Sequence, residues 1–580
     1  MLSHPRFRTT AVLFVTFIVS FCSFAYEFVY SELLTVMYGG TVTQYVITIG
    51  LYFFSLGVGA AFSDDLAPDV PTNLFRTELY LAIVAPVGFG VIVAINSVAL
   101  PAWIPTLVIW VVARLPVIMV GWLSGFELPL LTRLVGTEPE QPSLPGVIRR
   151  PIALCSSLLH RLLRAFWNTD RSQAPRSGLS VVLALDYVGG LAGAVVYARV
   201  LYPTFGLVTT ILLLALINAL AALVLFCLYS VRWGSASTSS RSFSSEPRVL
   251  VVVCLLVCSL LASGVVAHDT VDRSVTELYL EQQIESEHPP GSVEAEITDQ
   301  WTTPYQHVVR YNRTWTGTGS NPYFEGKSEP CLRLDMAVQL CESWVETYHD
   351  GLVSVPLSQY ERSPETDVLL IGGGDWIAVD ELRQYNVSVD QVDLDAKFMN
   401  RTASDPFYRQ YHNDATEYER LNTTVADGYT YLTNTETKYD LILLDIPGAT
   451  DDDLLGLYSS EFYRLLAAHL TPNGVVGTWG YARSSYPEHF KAYTNTLHAS
   501  GFSQYLTYWS RADLNGDGKS ERVEQFYLLA PSDREWRATN RTTQLTHSPN
   551  RSLAWEPIPR FSGVRSNSLF HPNYDILIST

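Results

Sequence analysis

The sequence predicts two fold classes in one chain: a bundle of about seven transmembrane α-helices, then an α/β domain with a doubly wound sheet. Three observations predict this. Charge divides sharply along the chain: residues 1–268 carry 15 Arg, no Lys and 12 acidic residues, whereas residues 269–580 carry 24 basic and 45 acidic residues, including all five Lys. The first part contains apolar runs long enough to cross a bilayer. The second contains short apolar runs that end in glycine or an acid and alternate with helical patterns, as parallel strands do. The averages over 580 residues, 48% hydrophobic, 17% charged and net −18, exclude a disordered or collagen-like chain and are too apolar for an ordinary acidic soluble protein. The acidic, Lys-poor second part is the surface expected of a protein working in high salt. It argues against nucleic-acid binding, which needs a basic face.

Seven spans are expected near residues 9–30, 43–63, 77–97, 103–124, 178–200, 206–231 and 248–268. The first is too long for a cleaved signal peptide, has no clear cleavage site and is followed by further spans. Five of the seven Cys fall in these segments or in the loop at 125–177 and read as packing residues. Arg6 and Arg8, the loop residues Arg133, Arg149, Arg150, Arg161, Arg164, Arg171 and Arg176, and Arg232, Arg241 and Arg248 all fall on one side if seven spans are real; that side is then cytoplasmic. Residues 151–167 interleave Arg and His with apolar residues, as an amphipathic surface helix or a solvated linker would. Glu27, Arg114 and Asp186 lie inside spans. They read either as groups paired between helices or near an interface, or as a path for a cationic solute. Gly189 and Gly193 form a small-xxx-small step suited to close helix packing.

After His268 the domains expected are a linker with a small β-rich subdomain at 269–350, a nucleoside-binding α/β domain at 351–535 and a tail at 536–580. ETDVLLIGGGD (365–375), VSVDQVDLD (387–395), YDLILLDIPG (439–448) and GVVGTWG (474–480) read as strands, with SEFYRLLAAHL (460–470) a helix among them. Ligands of such sheets bind at the carboxyl ends of the strands. Gly372, Gly373, Gly374 and Asp375 form a turn that lets the backbone approach a ligand. Asp393 follows Gly372 by 21 residues, a distance that suits bonds to ribose hydroxyls. Asp427, before Gly428, suits an adenine amino group. Each alone is also a solvated turn; together, in this order, they describe an adenosine pocket without a phosphate site. Asp445, at the end of an apolar strand, projects into the same cleft and suits a base that deprotonates an attacking amine.

These motifs resemble the spermidine/spermine synthase family of aminopropyltransferases, specifically its membrane-bound multi-span members. The likeness runs through TPYQHVV (303–309), with Tyr305 and Gln306, then Gln339, Tyr348-His349-Asp350, the GGGD turn, VDLD, ADG, ILLD and LYSSEFY (457–463). In the first part AYEFVYSELL (25–34), FSLGVGA (54–60) and LDYVGGLAGAVVYARVLYPTFG (185–206) resemble the family's membrane module. The resemblance implies a Rossmann-like, methyltransferase-type fold. It implies an aminopropyl transfer from decarboxylated S-adenosylmethionine, as co-substrate, to a diamine or other polyamine. It also implies roles: Asp393 for the ribose, Asp427 for the adenine, Asp375 for the aminopropyl ammonium, Asp445 as base, and Tyr348 and Gln339 as positioning groups, with Gly372 and Gly374 lining the donor pocket. The chain departs from the pattern in four places. Trp376 and Ile377 stand where the family has glycines, which puts bulk beside the donor. Trp344-Val345 replaces an acidic pair, Gly448 replaces a second acid after Asp445, and Trp479 replaces a Gln. The alternatives are another S-adenosylmethionine-dependent transferase, or a non-catalytic transport or sensing protein that keeps the fold.

With seven spans and an inside N-terminus, the second part lies outside the cell. Six sequons agree, at Asn312, Asn386, Asn400, Asn422, Asn540 and Asn550, as does the pair Cys331 and Cys341, which is able to bridge outside. A donor made in the cytosol argues the other way, so the side stays open. DLNGDGKSERVE (513–524) has calcium-loop spacing, with Asp513, Asn515, Asp517, Gly518 and Glu524 at positions 1, 3, 5, 6 and 12. Its flanks read as strands, which leaves a hairpin tip holding calcium or an acidic tip with no metal.

Overall fold

The structure is a computed structural model. It describes residues 5–38, 41–97, 105–136, 178–235, 246–335, 337–358, 360, 363–449, 454–532 and 554–577. The chain forms two compact units, Met1–Tyr38 with Val42–Gln282, and Gly39–Thr41 with Gln283–Thr580.

The first unit is helical: α1 (Pro5–Tyr38), α2 (Thr41–Phe62), α3 (Val70–Asn96), α4 (Thr106–Val112), α5 (Leu115–Ser124), α6 (Glu127–Gly136), α7 (Gly178–Val196), α8 (Tyr202–Ser235) and α9 (Glu246–Val266). Six stretches are long and apolar enough to cross a membrane: Thr9–Tyr38, Val42–Asp65, Val70–Asn96, Leu107–Gly136, Leu179–Tyr229 and Val249–Val266. Seven were expected. The difference lies in 178–200 and 206–231, which join into one stretch of 51 residues. That stretch is broken by a π-helical turn at Tyr197–Leu201 and by Gly206, whose φ of 66° and ψ of −173° are not helical.

α1 packs against α7 and α8, and α3 against α8. The close helix packing read from Gly189 and Gly193 is found: a Cβ would lie 2.6 Å from Phe17 O at the first and 2.5 Å from Phe21 O at the second. Asp186 accepts from Ser20 Oγ at 2.6 Å, across α7 and α1. Arg114 donates to Gln44 Oε1 at 2.5 Å and lies over the Trp110 ring at 3.7 Å. Glu27 is buried on α1. The 151–167 segment and most of the loop arginines lie outside the described residues.

Helix α10 (His268–Ser286) leads into the second unit, which opens with β1 (Val293–Thr302), β2 (His307–Trp315), β3 (Ser328–Leu334) and β4 (Ala337–Cys341). These pair in sequence order as an antiparallel sheet. Cys331 and Cys341 face each other in register, buried, and are joined as a disulfide.

The larger sheet contains β5 (Asp367–Gly372), β6 (Ser388–Asp393), β7 (Leu421–Val425), β8 (Tyr439–Asp445), β9 (Leu470–Trp479), β10 (Gln504–Ala512), β11 (Glu521–Ala530) and β12 (Glu556–Pro557), in the order β12-β10-β11-β9-β8-β5-β6-β7. The pairs from β7 to β9 are parallel; β11, β10 and β12 add antiparallel strands. The four expected parallel strands are β5, β6, β8 and β9. Leu369, Leu370, Leu441, Ile442, Leu443 and Leu444 are fully buried because helices cover both faces of a parallel sheet. The region expected as a tail is partly domain: β12 pairs with β10, and Asn495 Nδ2 donates to Phe561 O and Val564 O at 2.8 Å each. Ile558 and Leu577 join the core, which fixes this segment in place. In register, Gly372 faces Asp445 and Asp393 faces Val425, so the carboxyl ends of β5, β6 and β8 open on one cleft.

Candidate active site

The glycine turn after β5 is dictated by contact. Gly372 has φ 91°, and a Cβ there would lie 1.9 Å from Asp445 O. Only glycine fits both the space and the left-handed backbone. A Cβ on Gly374 would lie 2.9 Å from Asp393 Oδ2, so the backbone lies directly against the ribose-assigned acid. Asp375 Oδ1 accepts from Ile377 N at 3.0 Å, which fixes the carboxylate at the mouth of the turn.

Trp376 corrects an expectation. It takes φ 69°, the conformation a glycine would adopt there, but its indole turns into the core. Nε1–H donates to Met399 O at 3.1 Å. The ring fills a buried slot and does not crowd the donor side.

Asp445 is the centre of the site. Tyr348 O–H donates to its Oδ1 at 3.3 Å, and His349 Nε2 lies 3.9 Å from Oδ2. Both residues come from α11 (Val345–His349). His349 Nδ1 lies 2.7 Å from Val345 O; a carbonyl only accepts, so Nδ1 carries a proton and Nε2 faces the carboxylate. His349, Asp375 and Asp445 offer atoms within 4.8 Å of one another. Burial pushes the Asp445 carboxyl up to about 6; His349 opposes the shift, Asp375 adds to it, the Tyr348 hydrogen bond opposes it and Asp393 adds to it. Burial likewise pushes Asp393 up to about 6, against the backbone N–H groups of Asp395 and Gly374. Burial, then the charge of Asp445, holds the Tyr348 hydroxyl well above its ordinary range, so it stays a donor.

The other expected residues are spread more widely. Asp393 Oδ1 accepts from Asp395 N at 2.8 Å, and Asp395 takes Gln306 Nε2 at 3.2 Å. Asp427 caps the helix Gly428–Asn434, accepting from Thr430 N at 2.7 Å. Gln339 lies in β4, its Nε2 3.4 Å from Ala337 O, and no contact joins it to Asp445 among the described residues.

The calcium-loop residues divide between the hairpin tip and the strand behind it. The tip of the β10–β11 hairpin satisfies itself: Asp513 accepts from Asp517 N and Gly518 N at 3.0 and 2.8 Å, Asn515 Oδ1 accepts from Asp517 N at 3.0 Å, and Asp517 pairs with Lys519 at 2.8 Å. Glu524, the ligand that would close the loop, stands back in β11. It shares a strand face with Phe526, whose ring lies 5.3 Å from Tyr348. There it interacts with Tyr348 and Tyr458, and burial pushes its carboxyl up to about 7. Sequence reading assigned Glu524 to the hairpin tip and missed its place beside Tyr348. The signal was available in VEQFYLLA, whose period of two puts Glu524 and Phe526 on the same side.

Two departures from the family pattern are one packing event. Trp479 Nε1–H donates to Ile446 O at 3.0 Å, which lays the indole across the turn after β8. A Cβ on Gly448 would lie 3.2 Å from Trp479 Cζ2 and 3.3 Å from Cη2. A side chain at 448 therefore requires the Trp479 indole to give by a few tenths of an ångström.

Comparison with known proteins finds similarity to one family. Residues 345–508 match the spermine/spermidine synthase domain family. The chain is 26% identical over 505 residues to polyamine aminopropyltransferase 1 of Streptomyces coelicolor, covering 86% of this chain and 81% of that one. It is 25% identical over 479 residues to polyamine aminopropyltransferase of Oceanobacillus iheyensis, covering 82% and 78%. Among solved structures, spermidine synthase from Thermotoga maritima is similar over 41% of this chain and 73% of that one, at 16% identity and a TM-score of 0.31. The family resemblance stated from the sequence is borne out: residues 345–508 match the family's domain, and relatives at 22–26% identity over most of the chain are polyamine aminopropyltransferases.

Proposed function

We propose that this chain is a membrane-bound aminopropyltransferase that moves an aminopropyl group from decarboxylated S-adenosylmethionine to a diamine. The observation that carries the reading is Asp445, its side chain 12% exposed, held by Tyr348 and facing His349 and Asp375 at the carboxyl ends of β5 and β8. In this reading Asp393 takes the ribose hydroxyls, Asp427 the adenine amino group and Asp375 the donor's ammonium. Gln339 has a positioning role by resemblance alone.

The amine nitrogen attacks the carbon attached to sulfur. The C–N bond forms as the C–S bond breaks, and the bonding pair returns to sulfur, leaving neutral methylthioadenosine. The proton lost by the nitrogen goes to Asp445. Sulfonium is a good leaving group, so the work is orientation and deprotonation. Glu524 supplies an acid for the distal ammonium of the acceptor, where Gly448 offers none.

The double-length stretch Leu179–Tyr229, about 76 Å at 1.5 Å per residue against a hydrocarbon core of about 30 Å, supports two spans broken at Gly206 and hence seven in all. Seven spans, the arginine distribution and the Cys331–Cys341 disulfide support a second unit on the extracytoplasmic side. Labelling of a cysteine introduced near residue 540 by an impermeant reagent in intact cells tests this; labelling only after lysis refutes it. The acidic, Lys-poor surface supports a halophilic setting.

Purified protein incubated with decarboxylated S-adenosylmethionine and a panel of diamines is expected to release methylthioadenosine with at least one of them. The Asp445→Asn variant is expected to lose about two orders of magnitude or more in rate. No release with any amine overturns the reading.

A further inference from the structure

The helical unit contains a second group of acids, remote in sequence from the cleft residues. Glu78 on α3 is fully buried, and neither carboxylate oxygen has a hydrogen-bond partner. Glu127, at the start of α6, is buried with Oε1 unpartnered. Tyr26 on α1 and Asn218 on α8 are fully buried; the Tyr26 hydroxyl and both Asn218 amide atoms are unpartnered.

These groups converge. The Tyr26 hydroxyl is close enough to interact electrostatically with Cys22, Glu78 and Glu127, and Glu127 with Glu78 and Asp186. Cys22 Sγ lies 3.9 Å from Leu214 O on α8. Asn218 lies on α8 between Ala215 and Ala222, which share core clusters with Ala82 and with Phe75 and Leu79 of α3, the residues on either side of Glu78. Residues 1–268 contain no Lys, and Arg114 is engaged by Gln44 and the Trp110 carbonyl. Among the described residues no arginine pairs with Glu78 or Glu127.

The unmet groups are mostly acceptors: two oxygens of Glu78, one of Glu127, the Asn218 Oδ1 and the Tyr26 oxygen. Acids buried in a span without a basic partner are costly in their charged form, and a positive charge that joins them favours that form. A hard metal ion asks for six or more oxygens at short range. The carboxylates of Glu78, Glu127 and Asp186 do not form a metal-sized group among the described residues. An alkylammonium has three donors and no acceptor, the complement of this set, and an aromatic ring beside it adds cation–π attraction.

We propose that Glu78 and Glu127, with Tyr26 and Asn218, form an intramembrane binding site for the ammonium group of a small organic amine. The proposal stands apart from the aminopropyl-transfer reading. Its test is equilibrium binding of radiolabelled putrescine and of methylammonium to the full-length protein in lipid nanodiscs, in an Asp375→Asn/Asp445→Asn background that disables the cleft. Saturable amine binding is expected there, weakened at least tenfold by adding Glu78→Gln and Glu127→Gln. A thermal unfolding midpoint no lower than that of the background checks that the glutamine variant is folded. Unchanged amine binding in the glutamine variant, or no amine binding by the background protein, overturns the site. Neither result depends on methylthioadenosine release, so failure of the transferase reading is seen separately.

Discussion

Asp445 shows how one residue links stability to activity. Its carboxyl is pushed up to about 6, chiefly by burial. The folded state therefore favours the proton more than the unfolded state does. That contribution to stability is complete below about pH 4 and is lost as pH rises through about 6. As base, however, Asp445 must be ionised, so the rate is expected to rise through about pH 6 and to fall below it, which a pH–rate profile of kcat/KM reads directly. The same cost makes Asp445→Asn stabilising at pH 8, by up to about 3 kcal/mol at about 1.4 kcal/mol per unit; denaturant unfolding of the pair measures it, and a destabilised variant counts against the assignment. Trp376 and Gly448 show opposite kinds of departure. Trp376→Gly frees a left-handed backbone but removes a buried indole and its bond to Met399, with a net loss expected of about 2–4 kcal/mol. Gly448→Asp is expected to lower stability because Trp479 occupies its space, whereas Gly448→Asp with Trp479→Gln recovers it. Unfolding midpoints of the single and double variants decide whether the two positions are coupled.

At the scale of elements, legibility followed burial. Strands β5, β6, β8 and β9 were readable because they are apolar on both faces and end in glycine or acid. β7 was not: LNTTV is an edge strand with polar exposed positions, and nothing in its composition separates it from a loop. Glu524 was hidden by a local motif that outweighed strand alternation. A calcium loop brings its twelfth position round to its first, but in this hairpin Glu524 lies opposite Ser510, three residues before Asp513. Gln339 shows the limit of resemblance, since order along the chain gave its element but not its contacts. Glu78 and Glu127 were passed over because single acids near the ends of apolar runs are indistinguishable from interfacial ones until helices are packed together. The β3–β4 link also belongs to this scale. Cys331 and Cys341 close a loop of only ten residues in sequence separation, so replacing both with Ala is expected to cost about 3 kcal/mol. Reductant sensitivity of the unfolding midpoint, lost in the double variant, checks it.

Over the whole molecule, net charge is an average of two unlike surfaces. Residues 1–268 sum to +3, an excess set by arginines whose placement reads as topology, while residues 269–580 sum to −21. Among the described residues ten of those 45 acids pair with Arg or Lys, while the cleft acids Asp375, Asp393 and Asp445 lie close together with one histidine. Self-repulsion of such a surface opposes the compact state, and mobile ions remove it. The Debye length falls from about 10 Å at 0.1 M to about 3 Å at 1 M salt, shorter than the spacing of most surface carboxylates. The full-length protein is therefore expected to gain several degrees in the unfolding transition of its second unit between 0.1 and 1 M KCl, with little change in the helical unit. KCl is the right salt, because sulfate would strengthen apolar burial in both units and hide the difference. A transition that stays flat or falls in KCl would mean that the acidic surface is not under repulsive load, and would remove the high-salt reading while leaving the cleft chemistry untouched.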